Sequence, residues 1–440
     1  MNKKLKRSSL KTINDWLKGV KSNTLVEIEI IKFSSMDQWF FEEKTGDHKH
    51  NTGKFFSIIG IDVQTNMGDI NRWTQPIIKQ QEIGILGIIT KFIDGQLYCL
   101  MQAKIEPGNL NFVQISPTLQ ATKSNYTQVH KGSKALYLEY FRKRNHNVLV
   151  DQLQSEQGAR FFKKRNRNII INVENEIPVY DNFHWMTLQQ VVQLLSCDNT
   201  VNMDTRTVIS GLLFFGKKEI NLNENSLFSF SGIIKWLTHL KTYYELEVKE
   251  IGLNSIKNWI KTDERIYHEE NKYFEVIPVD VKIEGREVTK WTQPMIQAKQ
   301  MGICAFIIKK INGIFHFLIQ GKVECGNFDI IEMAPTVQCL TGNYKKTGSR
   351  KLPYLDYIMN VSEDQIIYDV MQSEEGGRFY KEQNRNMIIE ADESLPTSTS
   401  VDYIWMTLKQ IQKFIMFNNF INIQARSLIA NLVTRENEFS

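Results

Sequence analysis

The sequence contains one long segment in two copies. Trp-Thr-Gln-Pro at residues 73–76 recurs at 291–294, a shift of 218 positions. Residues 73–126 align with 291–344 without a gap, and 22 of the 54 aligned positions are identical. A repeat of this length greatly exceeds the roughly 20–50 residues of solenoid repeats. An internal duplication of a whole domain is therefore expected.

The copies predict two tandem domains, residues 1–220 and 221–440, with a polar, turn-rich stretch at 216–225 between them. Each copy predicts an α+β fold with a mixed sheet. In the first copy, strands at 84–90 and 97–104 flank Asp94-Gly95, a pair typical of a type I′ hairpin turn. The remaining predicted elements are a first helix around Trp16 or Trp236, a helix from near Val148 or Glu363 to Gly158 or Gly376, a strand at 168–173 or 386–390, and a last helix from Thr187 or Thr407.

Composition and motifs exclude several classes of site. The net charge is only +5, and basic and acidic residues are interleaved, so no face for nucleic acid is indicated. The five cysteines show no Cys-x-x-Cys spacing, which disfavours a disulfide framework and a zinc site. A dinucleotide-binding glycine motif, a membrane-spanning stretch and a secretory signal are also lacking. We expect a cytoplasmic protein without a nicotinamide cofactor.

The strand after each hairpin turn carries three polar residues. Gln102, Lys104 and Glu106 alternate with apolar residues and therefore share one face of the strand. The second copy repeats this amide, ammonium and carboxylate at Gln320, Lys322 and Glu324. A solvated face with an ion pair would explain a single strand of this kind. Retention of the same three groups in both copies favours a functional site equally, so both interpretations stay open.

Trp-Thr-Gln-Pro combines an aromatic ring, two hydrogen-bonding side chains and a residue of fixed φ. It is either a loop anchored by a core tryptophan or an aromatic shelf for a base or sugar with polar groups beside it. We predict substrate binding by Trp73, Thr74, Gln75, Trp291, Thr292 and Gln293.

Ser-Glu-Glu-Gly-Gly-Arg at 373–378 resembles the end of a Nudix box, in which glutamates on a helix bind a divalent metal. The pattern keeps Glu374 and Glu375 but places Met371 at its first glutamate. The first copy has Leu153, Glu156 and Gln157 at these three positions. Because Mg²⁺ requires several oxygen ligands, we expect the fold relationship without the metal chemistry, and we predict no metal site.

Taken together, the motifs resemble those of the NDP-hexose 2,3-dehydratases, enzymes of deoxysugar biosynthesis. The similarity rests on Trp-Thr-Gln-Pro, the Gln-x-Lys-x-Glu strand leading to Gly-Asn, Pro-Thr-x-Gln, the Ser-Glu-x-Gly-x-Arg-Phe runs and Asn-Arg-Asn, each present twice. It covers nearly the whole chain. The resemblance implies a homodimer whose subunits have two Nudix-like halves. It also implies a dTDP-linked 4-keto-6-deoxyglucose as substrate, with sugar-nucleotide pockets of which only one is catalytic.

Dehydration of such a sugar requires acid–base chemistry and no cofactor. The C4 ketone acidifies the C3 hydrogen, a base removes that hydrogen, the enolate expels the C2 hydroxyl with the help of an acid, and the enol collapses to a 3,4-diketone. The candidate groups are Glu106 or Glu324 as base, Lys104 or Lys322 beside the enolate, and Tyr126 or Tyr344 as acid. We favour the first-copy set, because the Nudix box is more eroded there.

The diphosphate is expected to pair with arginines, whose planar fork suits it. These are Arg160, Arg167, Arg378 and Arg385. Further predicted substrate-binding residues are Gln102, Thr118, Gln120, Asn166, Gln320, Lys322, Glu324, Thr336, Gln338, Tyr344 and Asn384. Two other functions stay open, a metal-dependent Nudix hydrolase of sugar nucleotides and a non-catalytic sugar-nucleotide binding protein.

Overall fold

The computed structural model describes residues 9–122, 135–142, 147–217, 220–284, 288–341 and 352–439. The helices of the first copy are α1 (Leu10–Ser22), α2 (Leu138–Arg142), α3 (Leu188–Leu194) and α4 (Met203–Ile209). Its strands are β1 (Val26–Ile30), β2 (Trp39–Phe41), β3 (His48–His50), β4 (Ser57–Thr65), β5 (Arg72–Lys79), β6 (Gly84–Ile93), β7 (Gln96–Ile105), β8 (Val113–Ser116), β9 (Leu119–Ala121), β10 (Asn147–Ser155), β11 (Arg165–Asn172) and β12 (Phe183–Thr187).

The second copy repeats this order of elements. Its helices are α5 (Phe230–Tyr243), α6 (Leu355–Met359), α7 (Leu408–Ile415), α8 (Ile423–Ile429) and α9 (Glu436–Phe439). Its strands are β13 (Leu246–Ile251), β14 (Trp259–Lys261), β15 (Ile266–His268), β16 (Phe274–Ile283), β17 (Lys290–Ala298), β18 (Gly302–Ile311), β19 (Ile314–Lys322), β20 (Glu332–Ala334), β21 (Val337–Leu340), β22 (Ile366–Ser373), β23 (Gln383–Glu390) and β24 (Tyr403–Thr407). Within the described ranges, no helix is long and apolar enough to cross a membrane.

Each copy forms one seven-stranded mixed sheet. In the first copy the order is β10-β11-β6-β7-β12, with β8 paired to β7 and β9 to β6. β11 and β6 are parallel, whereas β6 and β7 form an antiparallel hairpin. The second copy has the order β22-β23-β18-β19-β20, with β24 also paired to β19 and β21 to β18. The predicted combination of helices with mixed sheets, present twice, is confirmed.

The two smaller sheets each contain a strand from the other copy. β4 pairs with β3 and β5 of its own copy and also with β13, where Val248 lies opposite Val63. Reciprocally, β1 pairs with β16, where Ile28 lies opposite Val281. Each five-stranded sheet is therefore complete only when both copies are present.

Two buried helices, α4 and α8, pack against each other and connect the copies. Arg206 of α4 donates hydrogen bonds to Gln372 Oε1 at 2.5 Å and to the Ser373 carbonyl at 2.6 Å. Arg426 of α8 donates to the Ser155 carbonyl at 2.6 Å. These charge-assisted bonds run in both directions between the copies and stabilise their association.

The helix predicted from Val148 or Glu363 is wrong, because both segments are strands, β10 and β22. Glutamine and leucine favour a helix here by intrinsic propensity. However, alternate residues Val150, Gln152 and Gln154 are buried, and Gln154 Nε2 donates to the Ile415 carbonyl at 2.7 Å. Strand pairing and burial against the second copy outweigh the local propensity. The glutamates of the Nudix-box pattern therefore follow a strand and do not lie on the expected helix.

The other predicted elements are confirmed. The first helices contain Trp16 and Trp236, and the last predicted helices begin after the caps Thr187 and Thr407. Both residues of each hairpin turn have positive φ, as a type I′ turn requires. The φ angles are 49° and 75° at Asp94-Gly95, and 52° and 86° at Asn312-Gly313.

Candidate active site

A cavity of about 830 Å³ lies between the two copies and is named here the Glu106 cavity. The first copy contributes β7 and β9, and the second contributes β17 and the turn after β22. Its lining includes the aromatic side chains of Trp39, His50, Phe55, Phe56 and Trp291. Because residues of both copies line it, neither copy forms this cavity alone.

The polar face of β7 opens into this cavity. Glu106 directly follows the strand and is only 4% exposed. Gln120 Nε2 donates a hydrogen bond to Glu106 Oε1 at 2.8 Å, and Lys104 Nζ lies 3.4 Å from the same oxygen. Gln102 lines the cavity as well. The alternative of a solvated strand face does not hold, since the carboxylate is enclosed and paired.

The Trp-Thr-Gln run at this cavity comes from the other copy. Trp291 Nε1 donates to Gln293 Oε1 at 2.9 Å, and Gln293 Nε2 donates to the Gly377 carbonyl at 2.7 Å. Thr292 Oγ1 donates to the Asp37 carbonyl at 2.9 Å. The run lies in strand β17 and is not the loop that the sequence suggested. Its threonine and glutamine make structural hydrogen bonds, and the indole ring is the part of the run with surface suited to a ligand.

Arg378 lies on the turn after β22 and reaches across to the first copy. Its guanidinium lies 4.1 Å from the centre of the Phe56 ring, and NH2 donates to Gln80 Oε1 at 3.3 Å. Its Nε is buried without a hydrogen-bond partner among the described residues. A fixed cation with a free donor beside aromatic rings suits a phosphorylated nucleotide.

Several ionisable groups also line the cavity, of which Glu156, Asp204 and Lys164 are buried and Glu375 is half-buried. Burial raises the pKa of Glu156, and burial together with the charge of Glu156 raises the pKa of Asp204 well above its usual value. Burial, followed by the charge of Glu106, raises the pKa of Glu375 to about 7. Burial lowers the pKa of Lys164. Of these groups, Glu375 has the pKa best suited to proton transfer near neutral pH.

Glu324 occupies the matching place in the second copy. Gln338 Nε2 donates to Glu324 Oε1 at 3.0 Å, and Lys322 Nζ donates to the Gln338 carbonyl at 3.3 Å. Glu324 is 7% exposed, and Gln320 takes the position of Gln102 on β19. We call this group the Glu324 site.

Residues of the first copy lie beside the Glu324 site, just as residues of the second copy lie beside Glu106. Trp73 Nε1 donates to Gln75 Oε1 at 2.9 Å, and Thr74 Oγ1 donates to the Lys257 carbonyl at 3.2 Å. The Arg160 guanidinium lies 4.2 Å from the centre of the Phe274 ring. Burial raises the pKa of Glu324, and the charges of Lys322 and Arg160 oppose that rise. The two sites are thus related by pseudo-twofold symmetry.

Other predicted binding residues have structural partners. Arg167 forms a two-pronged pair with Asp151, both nitrogen–oxygen distances being 2.7 Å, and Arg385 pairs in the same way with Asp369 at 2.8 and 2.5 Å. Neither arginine lines the Glu106 cavity. An exposed pair across neighbouring strands accounts for both, so the structure does not bring them to the diphosphate position expected for them.

The two predicted threonines mainly fix the backbone. Thr118 bonds to the Leu100 carbonyl and accepts from the Ile89 N–H at 2.9 Å, although it also borders the cavity. Thr336 makes the matching bonds in the second copy. Asn166 and Asn384 donate to Glu156 and Glu374 and hold those carboxylates. Tyr126 and Tyr344 lie outside the described residues.

Sequence reasoning missed Asp204 and Lys164, which the structure places at the cavity. The available signal was a difference between the copies. Asp204 corresponds to Gln424 and Lys164 to Glu382, two charge-changing exchanges within otherwise similar runs. Divergence at a few charged positions, as well as retention, therefore indicates where two sites have become different.

Comparisons with known proteins find the duplication as well. The family model for NDP-hexose 2,3-dehydratase matches residues 10–212 and again 231–432. The chain is similar to proteins named dTDP-4-dehydro-6-deoxy-alpha-D-glucopyranose 2,3-dehydratase from three organisms. It is 43% identical over 436 residues to that of Saccharopolyspora spinosa, covering 95% of this chain and 90% of the relative. Identity is 39% over 425 residues for Amycolatopsis orientalis (95% and 89% covered) and 41% over 402 residues for Streptomyces violaceoruber (90% of each). The resemblance of the motifs is confirmed, and the chain belongs to the NDP-hexose 2,3-dehydratase family.

Proposed function

We propose that this protein removes the C2 hydroxyl of dTDP-4-dehydro-6-deoxyglucose by abstraction of the C3 proton and elimination of water. The names of its relatives support this substrate. The observation that carries the proposal is Glu106, a carboxylate enclosed between the copies with Lys104 and Gln120 beside it. The product is a 2,6-dideoxy-3,4-diketo sugar nucleotide.

In this proposal Glu106 is the general base for the C3 hydrogen. Gln120 donates to one of its oxygens and fixes the orientation of the carboxylate. The Lys104 ammonium stabilises negative charge that develops on the C4 oxygen as the proton leaves. Placing a cation where the enolate charge appears lowers the barrier, because the charge is met by a group already in position.

The rest of the Glu106 cavity anchors the nucleotide. Its volume of about 830 Å³ lies within the roughly 300–1,000 Å³ of ordinary ligand pockets. Trp39 and Trp291 supply aromatic surface for the thymine ring of the nucleotide, and Arg378 supplies a fixed cation for the diphosphate. Most of the binding energy would thus come from groups remote from C2 and C3, which leaves the acid–base groups for the chemistry.

The Glu106 cavity is our choice of catalytic pocket, and the reason differs from the one suggested by the motif. The more eroded Nudix box of the first copy favoured Glu106. In the structure, Gln157 of the first copy's box donates a hydrogen bond to Glu374. The residue that borders the Glu106 cavity is Glu375, from the box of the second copy. We choose the Glu106 cavity because Glu375 and Asp204 line it. The matching residues of the other copy are Gln157 and Gln424, which are not ionisable.

Several finer expectations belong to the same proposal. We infer a Nudix-like origin for each copy, supported by the mixed sheet with its parallel β11–β6 pair but not by a helical box. The domains 1–220 and 221–440, a homodimer and a cytoplasmic location are proposed on the duplication and the family resemblance. Loss of the helical box also weakens the alternative of a metal-dependent hydrolase.

The direct test is incubation of the protein with dTDP-4-dehydro-6-deoxyglucose. Mass spectrometry should show loss of one water, and o-phenylenediamine should trap the adjacent ketones of the product. Release of a nucleoside monophosphate that depends on Mg²⁺ would support a hydrolase instead. Tight binding without any turnover would support a binding protein. Either result would contradict the proposal.

A further inference from the structure

Glu375 is a half-buried acid that lines the Glu106 cavity. The Gly377 N–H donates to Glu375 Oε1 at 2.9 Å. The structure gives Oε2 no hydrogen-bond partner among the described residues, and Glu375 lines the Glu106 cavity. One oxygen is therefore held while the other is available to a ligand.

The turn that carries Glu375 is fixed directly against Glu106. The Gly108 N–H donates to the Gly376 carbonyl at 2.7 Å, which ties the loop after Glu106 to this turn. A Cβ atom at Gly376 would lie 2.9 Å from the Glu106 Cβ and 2.3 Å from Asn109 Oδ1. Only glycine permits so close an approach, and the turn that carries Glu375 is therefore held against Glu106 of the other copy.

We propose that Glu375 is the acid that protonates the departing C2 hydroxyl, opposite Glu106, so that each copy contributes one member of the catalytic pair. This inference rests on the proposed dehydration. The acid is then Glu375, whereas the sequence suggested Tyr126.

The protons balance with these two carboxyl groups alone. Glu106 takes the C3 proton as the C3–H electrons form the enolate. Those electrons then form the C2–C3 double bond, the C2–O bond breaks, and the leaving hydroxyl takes the Glu375 proton and departs as water. Transfer of the proton on Glu106 to C2 and of the O3 proton to Glu375 gives the 3,4-diketone and restores both groups.

The charge environment supports this division of roles. Burial and the negative charge of Glu106 raise the pKa of Glu375 to about 7, and Arg378 opposes the rise. A substantial fraction of Glu375 is therefore protonated at neutral pH and can act as an acid. The charged groups that interact with it are Glu106, Glu156, Asp204, Lys164 and Arg378.

The Glu324 site lacks this acid. Gln157 takes the place of Glu375, and its Nε2 donates to Glu374 Oε2 at 2.7 Å. An amide cannot release a proton to a leaving hydroxyl in this pH range. The proposed pair of carboxyl groups thus exists at one of the two pseudosymmetric sites.

The test uses Glu375→Gln, which introduces the residue that the other copy already tolerates at this position. In D₂O, dehydration should fall by about 10²–10⁴-fold, the usual effect of a positioned acid. Deuterium should still accumulate at C3 of the remaining substrate, because Glu106 is intact. A 2-deoxy-2-fluoro substrate should release fluoride at close to the wild-type rate, since fluoride leaves without protonation. Glu375→Asp, which keeps a carboxyl group, should retain part of the activity.

Retention of dTDP affinity by the Glu375→Gln variant establishes that its cavity is folded. The matched control is Glu393→Gln, which makes the same substitution at an exposed position of the same copy. Normal dehydration by Glu375→Gln would overturn the inference. Equal losses of dehydration, C3 exchange and fluoride release would also overturn it, because they indicate a base or a structural role. Absence of dehydration by the wild-type protein would contradict the proposed function itself.

Discussion

Glu106 and Glu324 hold matching positions, yet different ionisable residues surround them. The Glu106 cavity includes Glu375 and Asp204, where the Glu324 site has Gln157 and the chain carries Gln424. The bonds from Gln120 and Gln338 are nearly identical. Duplication thus preserved the hydrogen bond to each glutamate, and a few charge changes differentiated the two sites.

Arg378 provides a test of nucleotide binding at this scale. Arg378→Lys keeps the charge but loses the planar group over Phe56 and the fork suited to a diphosphate. We expect the Kd for dTDP, measured by calorimetry, to rise about tenfold, which corresponds to about 1.4 kcal/mol. Arg385→Lys should change it little, because Arg385 is paired with Asp369 outside the cavity. An equal effect of both substitutions would contradict this assignment.

Which residues line the cavity was partly predictable from the sequence, whereas their partners were not. The motifs present in both copies pointed to Glu106, Lys104, Trp291 and Arg378, and all four line the Glu106 cavity. It could not show that a tryptophan of one copy lies with a glutamate of the other, since that depends on contacts between distant parts of the chain. Arg167 was misleading because a surface ion pair retained in both copies looks the same in sequence as a ligand contact.

At the scale of elements, β10 and β22 show where local prediction fails. Their glutamines and leucines suit a helix, but pairing with β11 and β23 and contacts with the other copy determine their conformation. The hairpins β6–β7 and β18–β19 were predictable, because Asp-Gly and Asn-Gly determine the turn through backbone geometry alone.

Strand β20 allows a stability prediction that depends on pH. Ser155 Oγ donates to Glu332 Oε2 at 2.7 Å, and burial raises the pKa of Glu332 to about 8. In β8 the matching residue is Gln114, which accepts from Ser373 Oγ at 2.9 Å. Below its unfolded-state pKa, a buried acid such as Glu332 is protonated in both states and does not destabilise the fold. As the pH rises toward the folded-state pKa, the unfolded state loses the proton more readily and the fold is destabilised.

Glu332→Gln should therefore stabilise the protein relative to wild type more at pH 8 than at pH 5, by about 1–3 kcal/mol. Denaturant unfolding of both proteins at the two pH values measures this difference. Other buried acids titrate equally in both proteins and cancel. A difference that does not change with pH would show that Glu332 does not lose its proton in this range.

Three kinds of contact join the two copies: strands that enter the sheet of the other copy, helices that pack against each other, and arginines that donate hydrogen bonds across. β1 of the first copy completes the small sheet of the second copy, and β13 of the second copy completes that of the first. Helix α4 packs on α8, and residues of both copies line the Glu106 cavity. The duplication and the class of fold were predictable from repeated motifs. The exchange was not, because a strand's own pattern does not specify which of two similar sheets it joins.

The exchange predicts that residues 1–220 do not fold alone as a stable monomer. Without β13, the β4 strand and the apolar surface around Val63 lose the partner Val248. Circular dichroism and size-exclusion chromatography of this fragment should show a largely unfolded or associated species. Adding residues 221–440 should restore the fold. A monomeric fragment that unfolds cooperatively would contradict this account.

The most direct test of the central claim compares Glu106→Gln with Glu324→Gln in dehydration of dTDP-4-dehydro-6-deoxyglucose. Each substitution keeps the size of the side chain and removes its basicity. We predict that Glu106→Gln lowers kcat by about 10²–10⁴-fold, the usual effect of a positioned base, and that Glu324→Gln has a far smaller effect. Equal losses, a larger loss for Glu324→Gln, or full activity of both variants would contradict catalysis in the Glu106 cavity.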